Sequence, residues 1–577
     1  MNGDKAPVSR SLVRFPPSSR GGGWLVGLFL VTITLIAYGP VWHAGFIWDD
    51  DSFVTNNPVI KGGDGLYRLW FTAATPDYYP MTFSMLWVEW RVWADNPLGY
   101  HLVNVLLHAF SAILLWRALL RLRIPGALLA AGLFALHPVN VESVAWISEG
   151  KNTLCMVFYL GGILAWLEFE DSGARRWYGL ALGAFVLALF SKTAVAPLPL
   201  VLLGIAWWRR GRVEWKDVRQ VVPFFVIAGA VCWVTMWFHY HRAIGQEVIR
   251  TDGFWSRLAG AGWAVWFYLY KAVLPLNLVF VYPRWKIDAR SVLSYIPLIL
   301  FAAALVLCWR HRRGRGKALF IGLAYFVAML LPILGFLNVY YMRYSLVADH
   351  WQYFAVIGPI ALAAAAMETQ LGRMARGKHL LQLTTGAALL AALGTLTWLQ
   401  CGMYAEVETL WLATLARNPD SWLAHNNLGL IWLEAGDRDE AIPHFQRAAA
   451  IDPGRAEAYL NLGMAFAQKG KMDEAIAEYQ KALAIAPRMD QTHVNLGVAL
   501  MQKGELDEAI AEYQRALAIS PGVRGAHNNL GIAFAKKGQL TEAVAQFQKA
   551  LEMDSDDEGA RKNLALALDR LSLTPPP

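Results

Sequence analysis

Three carboxylates stand side by side at Asp49, Asp50 and Asp51, directly after the apolar string Phe46-Ile47-Trp48. Adjacent carboxylates repel, so such a cluster implies a cationic or protic partner, unless it is a solvated loop at a membrane surface. A carboxylate in this setting could act as a general base towards a hydroxyl. Further polar groups interrupt apolar runs. His101, Asn104 and His108 follow at i, i+3 and i+7, one stripe of a helix that is otherwise apolar. Such stripes commonly join helix to helix. The string His137-Pro138-Val139-Asn140-Val141-Glu142 closes a later run, and Ser191-Lys192-Thr193 forms a short turn between two others. Ionisable groups at membrane depth are functional candidates, although a single His or Lys at a helix end is more often an interface anchor. The four cysteines, Cys155, Cys232, Cys308 and Cys401, lie in or beside apolar runs with no metal-ligand spacing, so they read as packing residues.

These groups have to be held by apolar helices. Of 577 residues, 56% are hydrophobic and 17% charged, which excludes a wholly soluble protein. A crossing needs about 20 apolar residues. Candidate spans begin near residues 24, 98, 126, 152, 177, 194, 221, 291, 318, 352 and 380, which predicts about eleven crossings. Arg10, Arg14 and Arg20 precede the first run, which no small-residue cleavage site follows, so it reads as an uncleaved span. The formal charge of +8 resides in short basic clusters between runs, a topological signature that argues against nucleic-acid binding. The clusters include Arg117/Arg121/Arg123, Arg209/Arg210/Arg212, Arg310/Arg312/Arg313 and Arg373/Arg376/Lys378. All fall on the inner side if the N-terminus is inside and 258–275 is an interfacial or re-entrant helix. The first outer loop, 43–97, then carries seven acids against three bases, and the C-terminal region lies outside.

That region is a tandem array. Asn427, Asn461, Asn495 and Asn529 are 34 residues apart, and Asn563 continues the column. Gly429/Gly463/Gly497/Gly531 and Pro419/Pro453/Pro487/Pro521 keep the same step. This is the tetratricopeptide (TPR) signature, a helix pair per repeat. Small Gly and Ala let the paired helices approach, Phe445, Tyr479, Tyr513 and Phe547 fill the gap, and proline follows the second helix. The expected fold class is therefore all-α: a polytopic transmembrane helical domain followed by a TPR α-solenoid. Its divisions are a tail 1–23, a membrane domain 24–400, a connecting helix 401–418, four repeats 419–558, and a capping helix with tail 559–577. An asparagine amide carries donors and an acceptor and can pair with any peptide backbone. The column thus suits polypeptide binding, a structural role being the alternative.

In order of landmarks the chain resembles bacterial relatives of the transmembrane-and-TPR protein O-mannosyltransferases, members of the glycosyltransferase C superfamily. The matching strings are Phe46–Pro58, Gly99–His108, His137–Ile147, Ser191-Lys192, Lys271–Tyr282 and Val347–Ile357, then the repeats. The resemblance implies a glycosyltransferase that moves a sugar from a polyprenyl-phosphate donor to protein hydroxyls on the periplasmic side of an inner membrane, or the lumenal side in a eukaryote. It places the catalytic carboxylates at Asp49 and Asp50, with Asp51, His101, His137 and Glu142 in the donor or acceptor vicinity. Lys192, Arg284, Lys286 and Arg343 become the cations for the lipid phosphate. Partners would be the bilayer, the lipid-linked sugar and a polypeptide on the repeats; no cofactor is assigned beyond the polyprenyl-phosphate sugar donor, the need for a divalent metal is left open, and no metal-ligating residues are named. Animal members carry an acid in the turn after the His-Pro motif, where this chain has Lys151-Asn152-Thr153. A non-catalytic membrane-anchored TPR scaffold and, less well matched, a transporter remain the competing classes.

Overall fold

A computed structural model describes residues 23–573 except 246–247, 375–378 and 524. Arg10, Arg14, Arg20, Arg376, Lys378 and the Pro575–Pro577 tail lie outside the described residues. All regular structure among the described residues is helical, and the chain divides into two compact units, Met1–Val407 and Glu408–Pro577.

In the first unit every predicted span start coincides with a helix, but helix and crossing are not the same thing. Six helices are long and apolar enough to cross a bilayer: Pro97–Arg121, Ile147–Ser172, Trp215–Ile244, Val292–Arg310, Gly316–Ile333 and Leu380–Tyr404. The pair Ala127–Ala135 and Pro138–Ala145, bent by 50° at His137-Pro138, has the geometry of a broken span or a re-entrant loop and makes a seventh crossing only in the first case. The other candidates are Gly23–Ala37, Arg175–Ser191, Leu198–Arg210 and Ile357–Met374. The shortest has 13 residues, which at 1.5 Å per residue reaches about 20 Å, short of a hydrocarbon core of about 30 Å. A count of eleven crossings is thus not established. All but the last two residues of segment 258–275 lie in one unbroken helix, Phe254–Val273, that turns Ala259, Gly262 and Val265 inward and leaves Trp263, Trp266 and Tyr270 exposed. A Cβ on Gly262 would meet the backbone of Leu298 at 2.7 Å, so this helix packs closely on the next one.

The first loop is folded. Pro58–Lys61, Gly65–Phe71 and Pro80–Trp93 enclose a small core of Val54, Val59, Ile60, Leu69, Phe83 and Leu86, closed by Tyr100 and Ile147. Proline opens two of these helices and the Pro97–Arg121 helix, where its missing N–H costs nothing. Asn57 and Asn96 cap two of the three, Asn57 accepting from the N–H groups of Val59 and Ile60. Arg91 lies over the Trp87 ring and donates to the carbonyls of Ile60 and Gly62, tying the end of the lobe to its start.

In the second unit four helix pairs run from Trp422–Glu434 to Leu540–Met553, and Glu558–Leu573 follows them. A Cβ on Gly429, Gly463, Gly497 or Gly531 would come within 2.6–2.7 Å of the Phe445, Tyr479, Tyr513 or Phe547 ring. Each glycine is therefore the slot that receives its repeat's aromatic ring. Each proline of the column stands two residues beyond a helix end, at Arg417, Ile451, Ile485 and Ile519.

Candidate functional site

The acidic cluster occupies the entry to the folded loop. Trp48 has φ +46°, a left-handed conformation unfavourable for a bulky residue and commonly kept at functional sites. Its ring is surrounded by Trp146, Phe280, Tyr341 and Tyr344, with centroids 5.3–6.1 Å away. The strained backbone and this aromatic seat fix the direction in which the next two carboxylates point.

Those carboxylates differ. Asp50 is fully buried, and its Oδ2 accepts from the Ile47 N–H at 2.9 Å. Its Oδ1 accepts from the Ser148 N–H at 2.8 Å and the Ser148 hydroxyl at 2.5 Å. Asp49 is half-buried, and its Oδ1 is shielded from water with no hydrogen-bond partner. Burial pushes Asp49 up to about 8, opposed by the nearby Lys151 ammonium and reinforced by Asp50 and Glu149. Burial also pushes Asp50 up to about 7, against its three hydrogen bonds. Asp50 is occupied in holding the loop, whereas Asp49 has an oxygen to spare. Asp51 points outward and accepts from Thr55.

The cations meet at Glu149. Its carboxylate is 2.7 Å from Lys151 Nζ and 2.9 Å from Lys192 Nζ, and it accepts from the Asn152 amide at 2.7 Å. The three-residue turn Ile147–Glu149 carries both Ser148 and Glu149. It is pinned from behind, because a Cβ on Gly150 would strike the Asn104 side chain at 2.5 Å. Glu149 stands two residues ahead of Lys151-Asn152-Thr153.

The remaining predicted residues scatter. His101 faces the backbone of Ala44 and Gly45, and His137 Nε2 meets the Ala272 carbonyl at 3.0 Å. His108 is held between Tyr353 and the Ala135 carbonyl. Glu142 belongs to a second buried cluster: its Oε2 accepts from the His350 N–H at 2.8 Å, and its Oε1 stands 3.0 Å from His350 Nδ1. Beside it Tyr282 donates to Asp349. Arg343 is buried, donates to the Tyr340 hydroxyl and lies over the Tyr344 ring that also touches Trp48. Arg284 and Lys286 are exposed. Ser148, Glu149, Lys151 and His350 were not among the predicted site residues; the proximity of two of them to the conspicuous Lys151-Asn152-Thr153 turn was the available signal. Among the described residues no three His, Cys, Asp or Glu side chains converge in a way that could hold a metal ion.

In the repeats, Asn461 donates to Asn426 of the preceding repeat at 2.9 Å and Asn563 to Asn528 at 3.0 Å. Asn427 donates to the Leu423 carbonyl of its own helix. Asn495 accepts from Gln491, and Asn495 and Asn529 are half-buried.

Comparison with known proteins agrees with this division. The tetratricopeptide-repeat family models match residues 404–456, 434–490 and 488–556. A protein O-mannosyl-transferase of Caenorhabditis elegans is 22% identical over 431 residues, 70% of this chain and 59% of that protein. A protein O-mannosyl-transferase of Drosophila melanogaster is 28% identical over 291 residues, 44% of this chain and 29% of its own. By these matches the chain is similar to proteins named protein O-mannosyl-transferases. It thus spans well under two thirds of the length of these curated relatives. The solved structure of MamA is 30% identical and covers 26% of this chain and 87% of its own, with a TM-score of 0.25.

Proposed function

We propose that the chain is a membrane glycosyltransferase that moves a sugar from a polyprenyl-phosphate donor to a serine or threonine hydroxyl of a polypeptide held by the repeats. The observation that carries this reading is the contrast at Asp49 and Asp50: a shielded carboxylate oxygen without a partner, beside a carboxylate fully engaged in positioning. In the proposed step the acceptor oxygen attacks C1 of the sugar and its proton passes to Asp49. The bond from C1 to the phosphate oxygen breaks, and its electron pair leaves with the phosphate. A hydroxyl is a poor nucleophile, and a base that takes its proton in the transition state contributes roughly 10²–10⁴ in rate.

The leaving phosphate gains charge, and Lys151 and Lys192 supply two ammonium groups against the single carboxylate of Glu149. Asp50 acts as a positioning residue. The names of the relatives, the basic inner clusters and the TPR array support a mannosyl or related donor and a repeat domain on the side of the acidic loop, periplasmic in a bacterial inner membrane. The test is incubation of the purified full chain with a panel of polyprenyl-phosphate sugars and a co-expressed secreted protein, read by intact mass. A hexose-sized increment on the acceptor is the expected result. No increment with any donor, together with retained polypeptide binding, would favour a scaffold.

A further inference from the structure

Glu142 and His350 form a buried carboxylate–imidazole pair that the transfer step does not use. They are 1% and 4% exposed and 208 residues apart in sequence, and one carboxylate is spent on one histidine. Oε2 grips the backbone N–H at 2.8 Å. Oε1 and Nδ1 are 3.0 Å apart, off the line of an ideal hydrogen bond but close enough to orient the ring. Glu142 faces Nδ1, which leaves Nε2 as the ring nitrogen turned away from the carboxylate.

The position of the pair relates it to the reaction centre. The His350 ring contacts Trp146 at 5.8 Å and Tyr341 at 5.3 Å, and both rings also flank Trp48, the residue before Asp49. The Asn152 amide bridges the two clusters, donating to Glu149 at 2.7 Å and to the His350 carbonyl at 3.2 Å. One side chain thus ties the lysine pair to the histidine. Asp349, the other nearby acid, is engaged by Tyr282.

Two roles suit an oriented imidazole beside a glycosyl-transfer centre: a second acid–base group, or a hydrogen-bond partner for the sugar. Phosphate is a good leaving group and departs without a proton, and the single proton of the acceptor is already assigned to Asp49. A sugar ring, by contrast, presents apolar C–H faces and directional hydroxyls. Flat rings such as Trp146 and Tyr341 match the former, and an oriented nitrogen matches the latter. Building on the transferase reading, we infer that the Glu142–His350 pair, walled by Trp146 and Tyr341, is the subsite that reads a hydroxyl of the donor's hexose and sets which sugar is transferred.

The experiment uses purified full chain with polyprenyl-phosphate mannose and polyprenyl-phosphate glucose, which differ only at C2, and with sugar-free polyprenyl phosphate as inhibitor. The wild type is expected to prefer one donor in kcat/KM. His350→Phe keeps a ring in place and should shrink that preference by about tenfold or more, since one hydrogen bond to a substrate hydroxyl is at stake. Glu142→Gln, which keeps shape and removes the orienting charge, should move it the same way and serves if the ring variant does not fold. Inhibition by sugar-free polyprenyl phosphate should be unchanged in both. An unaltered preference, equal use of both donors by the wild type, or an equal loss of affinity for the sugar-free lipid would overturn the inference. A wild type that transfers from neither donor would instead overturn the transferase reading, and this subsite with it.

Discussion

Asp50 and Ser148 are 98 residues apart in sequence, yet one carboxylate oxygen of Asp50 receives both the N–H and the hydroxyl of Ser148, at 2.8 and 2.5 Å. This contact joins the acidic loop to the turn that carries Glu149. Three donors converge on Asp50, and an asparagine could accept from them with one oxygen only. Asp50→Asn should therefore destabilise the protein by about 1–3 kcal/mol, the cost of a buried donor left without a partner. Ser148→Ala, which removes one donor and leaves none unpaired, should cost less. Thermal unfolding of the detergent-solubilised chain would show that order, and equal effects would deny Asp50 its positioning role.

Asp49 makes the reaction pH-dependent in a specified direction. A base acts only when deprotonated, and the resting carboxyl sits near 8 because of burial. The rate under kcat/KM conditions should fall as pH drops through about 8 and level off above it. Lys151 is the neighbour that lowers this value, so Lys151→Met should move the midpoint to higher pH. Stability follows the same group. A carboxyl raised in the folded state leaves stability intact below its ordinary range and loses it as pH rises towards 8. Asp49→Asn should therefore lie nearest the wild type in melting temperature below about pH 4 and exceed it by a growing margin up to about pH 8.

The lysine pair should govern the donor rather than the acceptor. Lys192→Ala is expected to raise the KM for the lipid-linked sugar and lower kcat, while the KM for the polypeptide stays constant. Glu149→Gln leaves two ammonium groups together without their shared counter-charge and should reduce expression of folded protein. Steady-state kinetics with each substrate varied in turn would check this, and a change confined to the polypeptide KM would move the phosphate elsewhere.

In the repeats, Gly463→Ala forces a Cβ to within 2.6 Å of the Tyr479 ring and should cost about 1–3 kcal/mol. Asn461→Ala removes the donor to Asn426 and should cost about 1 kcal/mol. Asn495→Ala and Asn529→Ala should be silent in stability and weaken polypeptide binding. Urea unfolding of the full chain and a peptide-binding titration would separate the two classes of asparagine.

The glycine and aromatic columns were legible because together they mark a contact repeated four times, and Gly463 against Tyr479 is the same slot as Gly497 against Tyr513. Asp49 and Asp50 stood out as adjacent acids, but their division of labour depends on a serine 98 residues away, which no local pattern encodes. The surroundings of His101 and His137 were hidden for a related reason, since both meet backbone groups, whose positions composition does not reveal. The crossing number stays unestablished because apolar runs that reach helical order, such as Leu198–Arg210, are not all long enough to span. Asn461 and Asn495 look equivalent in the column and differ because the preceding repeat places an amide, Asn426, opposite the first and Leu460 at the matching position for the second.

The central claim is that Asp49 takes the proton of the acceptor hydroxyl. It is tested most directly by transfer turnover at saturating donor and acceptor for the wild type, Asp49→Asn and Asp64→Asn, the last lying in the same loop outside the cluster. All three should show the same helix content. The account predicts that Asp49→Asn loses at least about 10² in kcat and that Asp64→Asn stays within about twofold of the wild type, since an exposed loop charge contributes little. Wild-type turnover in a folded Asp49→Asn protein would contradict it.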